Sequence, residues 1–92
     1  MDVVIYTRNS YCGWCNKAKE ALKDAGFEYI EIVVGEQITR DDFVHKFWRD
    51  VYDARPTVPQ ITINGDWIGG YEDLKDWLEK NKDVNRDPAN YE

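Results

Sequence analysis

Tyr11-Cys12-Gly13-Trp14-Cys15-Asn16-Lys17 is the stretch that holds both cysteines of the 92-residue chain, separated by two residues. It lies where the apolar run Val3-Val4-Ile5-Tyr6 gives way to a helical pattern. In that pattern small and apolar residues recur at the spacing i, i+3, i+4 and i+7: Ala18, Ala21, Leu22 and Ala25. The spacing predicts that Cys12 lies at the N-terminus of a helix and Cys15 about one turn inside it. Two Cα atoms so placed are about 5 to 6 Å apart, so the pair can form and break a disulfide with little movement of the backbone.

Cys12 is predicted to be the more reactive of the two cysteines. Unpaired N–H groups and the positive end of the helix dipole point toward it. Basic residues add positive charge nearby, with no acidic residue between positions 8 and 19: Arg8, Lys17 and Lys19. Lowering the pKa of a thiol from about 8.5 to about 7 leaves roughly half of it ionised at pH 7, and such a thiol also leaves a mixed disulfide faster. We therefore expect Cys12 to be both the attacking and the leaving sulfur, and the pKa of the deeper Cys15 to be the higher.

Length and composition limit the class of protein. The 92 residues, 42% hydrophobic and 14% aromatic, allow one small globular domain although 33% of them are charged. A net charge of -6 and a pI near 4.7 argue against a nucleic-acid partner. No apolar run approaches the roughly 20 residues of a membrane span, and the N-terminus lacks the pattern of a secretion signal. Two cysteines in a chain without such a signal suggest a reducing compartment, where a C-x-x-C pair is more often catalytic or metal-binding than structural. We expect a cytoplasmic protein that binds no membrane, and a monomer.

The rest of the sequence alternates between strand and helix patterns. The predicted strands are 2–7, 27–34, 60–63 and a return strand that begins at Trp67 after the hairpin signal Asn64-Gly65. The predicted helices are 14–25, 40–53 and 71–81. This order, βαβ-α-ββα, predicts an α/β fold with one mixed four-stranded sheet covered by helices on both faces. We expect residues 1–81 to form a single domain and residues 82–92 a polar C-terminal tail.

Three motifs in this order resemble the glutaredoxins, which have the thioredoxin fold. They are Cys12-Gly13-Trp14-Cys15 after the first strand, Thr57-Val58-Pro59 before the third, and Gly69-Gly70-Tyr71-Glu72-Asp73 at the last helix. The resemblance covers about residues 2–80. It implies a glutathione-dependent thiol–disulfide oxidoreductase that reduces protein disulfides and glutathione mixed disulfides.

The resemblance also implies a role for each residue of the site. Cys12 matches the nucleophilic cysteine that takes up the glutathionyl group, and Cys15 matches the resolving cysteine. Val58, before the proline that is cis in the family, would offer its backbone N–H and C=O to the cysteinyl part of glutathione, as an added strand does. N–H groups at the start of the last helix would bind the γ-glutamyl carboxylate. The glutathione-binding residues so implied are Arg8, Tyr11, Trp14, Thr57, Val58, Pro59, Gly70, Tyr71 and Glu72.

The implied reductant is glutathione, and the implied reaction requires no metal. The implied partners are disulfide-containing or glutathionylated proteins, among which the family suggests ribonucleotide reductase.

Other functions remain open at this point. Gly13 stands where the commonest dithiol members have proline, and members with a small residue there can hold a [2Fe-2S] cluster between two chains through the cysteine that Cys12 matches. A redox-inactive adaptor is a third possibility, which would require Cys12→Ser to leave function intact. Thioredoxin is the nearest enzyme alternative, but it has an extra strand and helix before the first strand found here. A zinc site needs about four ligands, and besides the cysteines the chain offers only His45, which we expect to be solvated.

Overall fold

A computed structural model describes residues 2–48 and 57–81 of the chain. The strands in these ranges are β1 (Val3–Arg8), β2 (Ile30–Val34), β3 (Gln60–Ile63) and β4 (Asp66–Gly69). The helices are α1 (Gly13–Asp24), α2 (Arg40–Phe47) and α3 (Tyr71–Lys80). Their order confirms the predicted βαβ-α-ββα arrangement. Two sequence predictions, helical residues 49–53 and the polar tail 82–92, lie outside the described residues.

The four strands form one mixed sheet, as predicted, and their order in it is β2-β1-β3-β4. β1 runs parallel to β2, and antiparallel to β3 with Tyr6 opposite Gln60. The hairpin from β3 to β4 turns through Asn64 and Gly65, whose φ angles of 54° and 86° are those that a two-residue hairpin turn requires. Because β3 is antiparallel to β1, the residues that lead from β1 to Cys12 lie beside the residues that precede β3.

Helices cover both faces of the sheet. On one face α1 and α3 bury Leu22 and Leu74 against Ile5 and Ile61, and none of these four side chains has any exposed surface. On the other face α2 packs Phe43 and Phe47 against Tyr6. Each fully buried large apolar side chain contributes about 1.5–3 kcal/mol, so α1, which carries the cysteines, is held firmly on the sheet. No helix in the described ranges combines the length and the apolar character needed to cross a bilayer.

Two boundaries differ from the sequence prediction by more than one residue. β2 begins at Ile30, because Phe27 instead closes the end of α1: its N–H donates to the Leu22 carbonyl at 2.9 Å after Gly26 turns the chain with φ 86°. α2 ends at Phe47, since Trp48 has an extended backbone (ψ 136°), so the predicted continuation of that helix through Trp48 is wrong.

Candidate active site

The two cysteines lie at the start of α1, as predicted. Cys12 is the N-cap residue, with an extended backbone (φ -145°, ψ 101°), and the helix begins at Gly13. The Cα atoms of Cys12 and Cys15 are 5.2 Å apart, within the predicted range, and the two sulfur atoms are joined in a disulfide. The structure therefore shows the oxidised form of the pair, held by a cap and a first helical turn of ordinary geometry.

The Cys12 sulfur lies at the position that a capping oxygen usually takes. The backbone N–H of Cys15 donates to Cys12 Sγ at 3.2 Å, and the first turn of α1 contains no acidic residue. Cys12 is 7% exposed and Cys15 only 2%. An incoming sulfur therefore reaches Cys12 more easily, and the N–H group and helix dipole there stabilise a thiolate.

The basic residues predicted near the pair have different surroundings. The Arg8 guanidinium donates to the Tyr11 carbonyl oxygen from Nε at 3.1 Å and from Nη2 at 2.7 Å. Lys19 Nζ lies 3.2 Å from a carboxylate oxygen of Glu31. Lys17 Nζ lies 4.9 Å from the centre of the Trp14 ring. The charge of Lys19 is thus balanced by Glu31, and of the three only Arg8 and Lys17 add positive charge to the site.

The segment Thr57-Val58-Pro59 lies beside the loop from Arg8 to Cys12, because Tyr6 and Gln60 are paired. The Val58–Pro59 peptide bond is cis, as the resemblance implied. Thr57 and Val58 line a cleft of 460 Å³ together with residues of β1, β2 and α2: Arg8, Val34, Gly35, Arg40, Phe43 and Val44. The cleft therefore brings together three of the predicted glutathione-binding residues.

Arg40 was not identified from the sequence as a site residue. It is the first residue of α2, following the N-cap Thr39, and it lines the same cleft as Arg8. Nothing in the sequence distinguishes it from an ordinary solvent-exposed residue of a first helical turn, and only the packing of α2 across the sheet places it there. A cleft lined by two arginines and otherwise mainly by apolar residues suits an anionic organic ligand.

A second group of predicted residues lies at the N-terminus of α3. Gly70 is the N-cap, and its N–H donates to Asp73 Oδ2 at 3.2 Å. A β-carbon at Gly70 would lie 3.5 Å from the Pro59 carbonyl oxygen, so this corner packs directly against the cis proline. Since the Gly70 N–H is engaged by the Asp73 carboxylate, the first-turn N–H groups without an acceptor inside the helix are those of Tyr71, Glu72 and Asp73.

The predicted aromatic residues form one surface next to Cys12. Tyr11 is 81% exposed and Trp14 54%. The Trp14 ring lies 5.5 Å from the Tyr71 ring, which links α1 to α3. A β-carbon at Gly13 would lie 3.3 Å from the Tyr11 hydroxyl oxygen, so the Tyr11 side chain covers the position where the related dithiol motif has proline.

Within residues 2–48 and 57–81, no three His, Cys, Asp or Glu side chains lie together as metal ligands would. His45 is exposed on α2. A [2Fe-2S] cluster shared between two chains would need only one thiolate from each, so that alternative for Cys12 stays a prediction.

The sequence matches the protein-family model described as Glutaredoxin over residues 3–68, which include both cysteines and the cis proline. Glutaredoxin 1 of Escherichia coli (strain K12) is 33% identical over 91 residues, covering 91% of this chain and all of that protein. The solved structure of reduced Escherichia coli glutaredoxin has a TM-score of 0.66 and 35% identity, covering 90% of this chain and 99% of that one. A buckwheat glutaredoxin–glutathione complex has a TM-score of 0.65 and 26% identity, covering 89% of this chain and 72% of that one.

Proposed function

We propose that this chain, which belongs to the glutaredoxin family, uses glutathione to reduce protein disulfides and glutathione mixed disulfides. Membership of the family and the Cys12–Cys15 pair make it a thiol–disulfide oxidoreductase. The proposal concerns its reductant, its substrates and the roles of individual residues.

One observation carries the assignment of roles. Cys12 is the N-cap of α1, its sulfur accepts the Cys15 N–H, and the same sulfur is bonded to Cys15. A sulfur so placed gains stability as a thiolate and has a second thiol within bonding distance. We assign Cys12 as the nucleophile and Cys15 as the resolving cysteine.

With a glutathione mixed disulfide as substrate, only Cys12 is needed. Its thiolate attacks the glutathione sulfur, the disulfide bond of the substrate breaks, and the protein thiolate leaves and takes up a proton. Cys12 then carries glutathione as a mixed disulfide. A second glutathione thiolate attacks the sulfur of the bound glutathione, which releases oxidised glutathione and restores the Cys12 thiolate. The net reaction converts the mixed disulfide and one free glutathione into the protein thiol and oxidised glutathione.

With a protein disulfide as substrate, both cysteines take part. Cys12 attacks one substrate sulfur and forms an intermolecular disulfide, and the other substrate sulfur leaves as a thiolate. The Cys15 thiolate then attacks the Cys12 sulfur, which releases the reduced substrate and leaves the disulfide that the structure contains. Two glutathione molecules reduce that disulfide in turn.

Two parts of the site are proposed to bind glutathione. The cleft lined by Arg8, Thr57 and Val58 takes the cysteinyl end, where Val58 supplies backbone hydrogen bonds beside Pro59. At the start of α3, the N–H groups of Tyr71 and Glu72 bind the γ-glutamyl carboxylate, since a helix N-terminus favours an anion. The other proposed contacts are Tyr11, Trp14 and Gly70, which adjoin these two parts.

The proposal extends to the setting of the reaction. The partners are glutathione and proteins that carry a disulfide or a glutathionyl group, with ribonucleotide reductase as the candidate that the family suggests. A cytoplasmic location is proposed because the cycle depends on a pool of reduced glutathione. We further propose that the active unit is a monomer formed by residues 1–81.

The test is a coupled glutathione and NADPH assay with two substrates, a glutathionylated peptide and an intact protein disulfide. Cys12→Ser should abolish activity on both, since it removes the only proposed nucleophile. Cys15→Ser should keep activity on the glutathionylated peptide and lose it on the protein disulfide. Asn16→Ser, an exposed change on the same turn, is the matched control and should keep both activities.

Two results would contradict the proposal. Residual activity of Cys12→Ser on the glutathionylated peptide would mean that Cys12 is not the nucleophile. Reduction of the wild-type disulfide by thioredoxin reductase but not by glutathione would mean that the reductant is wrong.

A further inference from the structure

Gln60 is a buried polar side chain whose two ends are both hydrogen-bonded. It is 7% exposed at the start of β3. Its Nε2 donates to the Thr57 carbonyl oxygen at 2.6 Å, and its Oε1 accepts from the Trp67 indole Nε1 at 2.8 Å. The side chain therefore links β4 to the segment that precedes the cis proline.

The orientation of the Gln60 amide is fixed by its neighbours. An indole N–H can only donate, and a backbone carbonyl can only accept. The amide oxygen must therefore face Trp67 and the amide nitrogen must face Thr57. A flipped amide would lose both hydrogen bonds.

The far end of this link is itself held in place. Trp67 is partly buried, and its ring lies 5.3 Å from the Phe47 ring, within the core between α2 and the sheet. Gln60 also pairs with Tyr6 on the central strand. The amide nitrogen that reaches Thr57 is thus positioned by the packed core and not by the loop.

Holding the Thr57 carbonyl also sets the direction of the next N–H. The Thr57–Val58 peptide bond is trans, so its C=O and N–H point in opposite directions within one plane. With the carbonyl directed to Gln60, the Val58 N–H is directed away from Gln60. No partner for that N–H is found among the described residues, and Val58 lines the cleft.

We propose that Gln60 is a positioning residue that presents the Val58 N–H to the glutathione moiety of the substrate, by fixing the Thr57–Val58 peptide plane. The inference rests on the proposed function of this site. Gln60 does not touch the reacting sulfur atoms, so it should affect binding of the glutathionyl group and leave the reactivity of Cys12 unchanged.

The probe is S-methylglutathione, which has the glutathione backbone but cannot react. Gln60→Met keeps a side chain of similar length and removes both hydrogen bonds. Gln60→Glu keeps the acceptor for Trp67 and removes the donor to Thr57. Trp67→Phe removes only the indole donor. Thr7→Val is the matched control, because it also removes a hydrogen bond from a buried side chain, between Thr7 and Glu31.

The Kd of S-methylglutathione is measured by titration calorimetry, and kcat and KM are measured on a glutathionylated peptide. Loss of one well-placed hydrogen bond should weaken binding about 3- to 10-fold in Gln60→Met and Gln60→Glu, and less in Trp67→Phe. The effect should be on KM, with kcat and the alkylation rate of reduced Cys12 by iodoacetamide within about twofold of wild type. Thr7→Val should leave Kd and KM unchanged.

A second measurement does not depend on how the variants fold. In the wild type, the Val58 amide resonance should shift on addition of S-methylglutathione. An unshifted Val58 resonance would overturn the inference, as would unchanged Kd values in the folded variants. If wild type does not bind S-methylglutathione at all, the proposed function fails; if it binds and Gln60 has no influence, only this inference fails.

Discussion

Thr7→Val is expected to destabilise the protein in a pH-dependent way. Thr7 is 1% exposed on β1, and its hydroxyl donates to Glu31 Oε2 on β2 at 2.7 Å. Lys19 on α1 lies 3.2 Å from the same oxygen. The Thr7 hydroxyl lowers the pKa of Glu31 below its usual 4.5, burial opposes this, and Lys19 lowers the pKa further. These three side chains, of Thr7, Glu31 and Lys19, therefore connect α1, the helix that carries the cysteines, to the sheet.

The magnitude follows from the exposure of the carboxylate. A hydrogen bond to a charged group contributes about 1.5–3 kcal/mol to stability, and because 34% of the Glu31 side chain is exposed we take the lower end, about 1.5 kcal/mol. With a slope of about 1 kcal/mol per molar urea, the midpoint of unfolding at pH 7 should fall by about 1.5 M.

The sign of the pH dependence follows from the lowered pKa. As the pH falls, Glu31 takes up a proton in the unfolded chain at a higher pH than it does in the folded chain. The stabilisation is therefore complete above pH 4.5 and is lost as the pH falls through the folded pKa. Once the pH is below the folded pKa, the carboxyl is neutral and its bond to Thr7 is an ordinary one. Thr7→Val should then cost only about 0.5 kcal/mol.

The assay is urea unfolding followed by circular dichroism, at pH 7 and at an acid pH below the folded pKa of Glu31, for wild type and variant. Thr62→Val is the control, since it makes the same replacement at a buried threonine of β3 that has no hydrogen bond to a charged side chain in the described part of the chain. The control should lose the same free energy at both pH values. Equal losses for Thr7→Val at both pH values would refute the role of the Glu31 charge.

Two further predictions concern the edges of the site. Gly69 has a φ of 127°, and a β-carbon there would collide with the Asp73 carboxylate, so Gly69→Ala should cost about 2 kcal/mol of unfolding free energy in thermal melts. An Asp73→Ala background should recover part of that loss, and no recovery would show that the collision is irrelevant. Anaerobic incubation with iron, sulfide and glutathione tests the cluster-binding alternative for Cys12: a plain reductase should give neither visible absorption nor a dimer. A coloured dimer in gel filtration would instead favour the cluster-binding alternative.

Much of the fold could be predicted because the signals are local. The Cys12–Cys15 distance depends only on a cap and one helical turn, so the sequence spacing fixes it at 5.2 Å. The cap of α2 is also local: the Thr39 hydroxyl oxygen accepts the Asp42 N–H at 3.1 Å, as the sequence pattern indicates. In each case the residues that interact are three apart in the chain.

The rest depends on contacts between distant residues. Phe27 has the aromatic character of a strand residue, but its ring packs 5.7 Å from the Trp77 ring and its backbone continues the end of α1. Gln60 acquires its role from Trp67, on the next strand of the hairpin, and Arg40 enters the cleft only when α2 crosses the sheet. No local pattern distinguishes these residues, because the partners that define them are brought together by the tertiary fold.

The central position of β1 in the sheet determines the order in which the molecule can assemble. The strands β1 and β2 and the helix α1 between them come from one continuous stretch of the sequence. Val3 on β1, by contrast, pairs with Ile63 in the other half of the chain. Closing that longer loop is the slower event. The two cysteines, three residues apart at the start of one helix, are therefore brought within disulfide distance before the second half of the chain has joined the sheet.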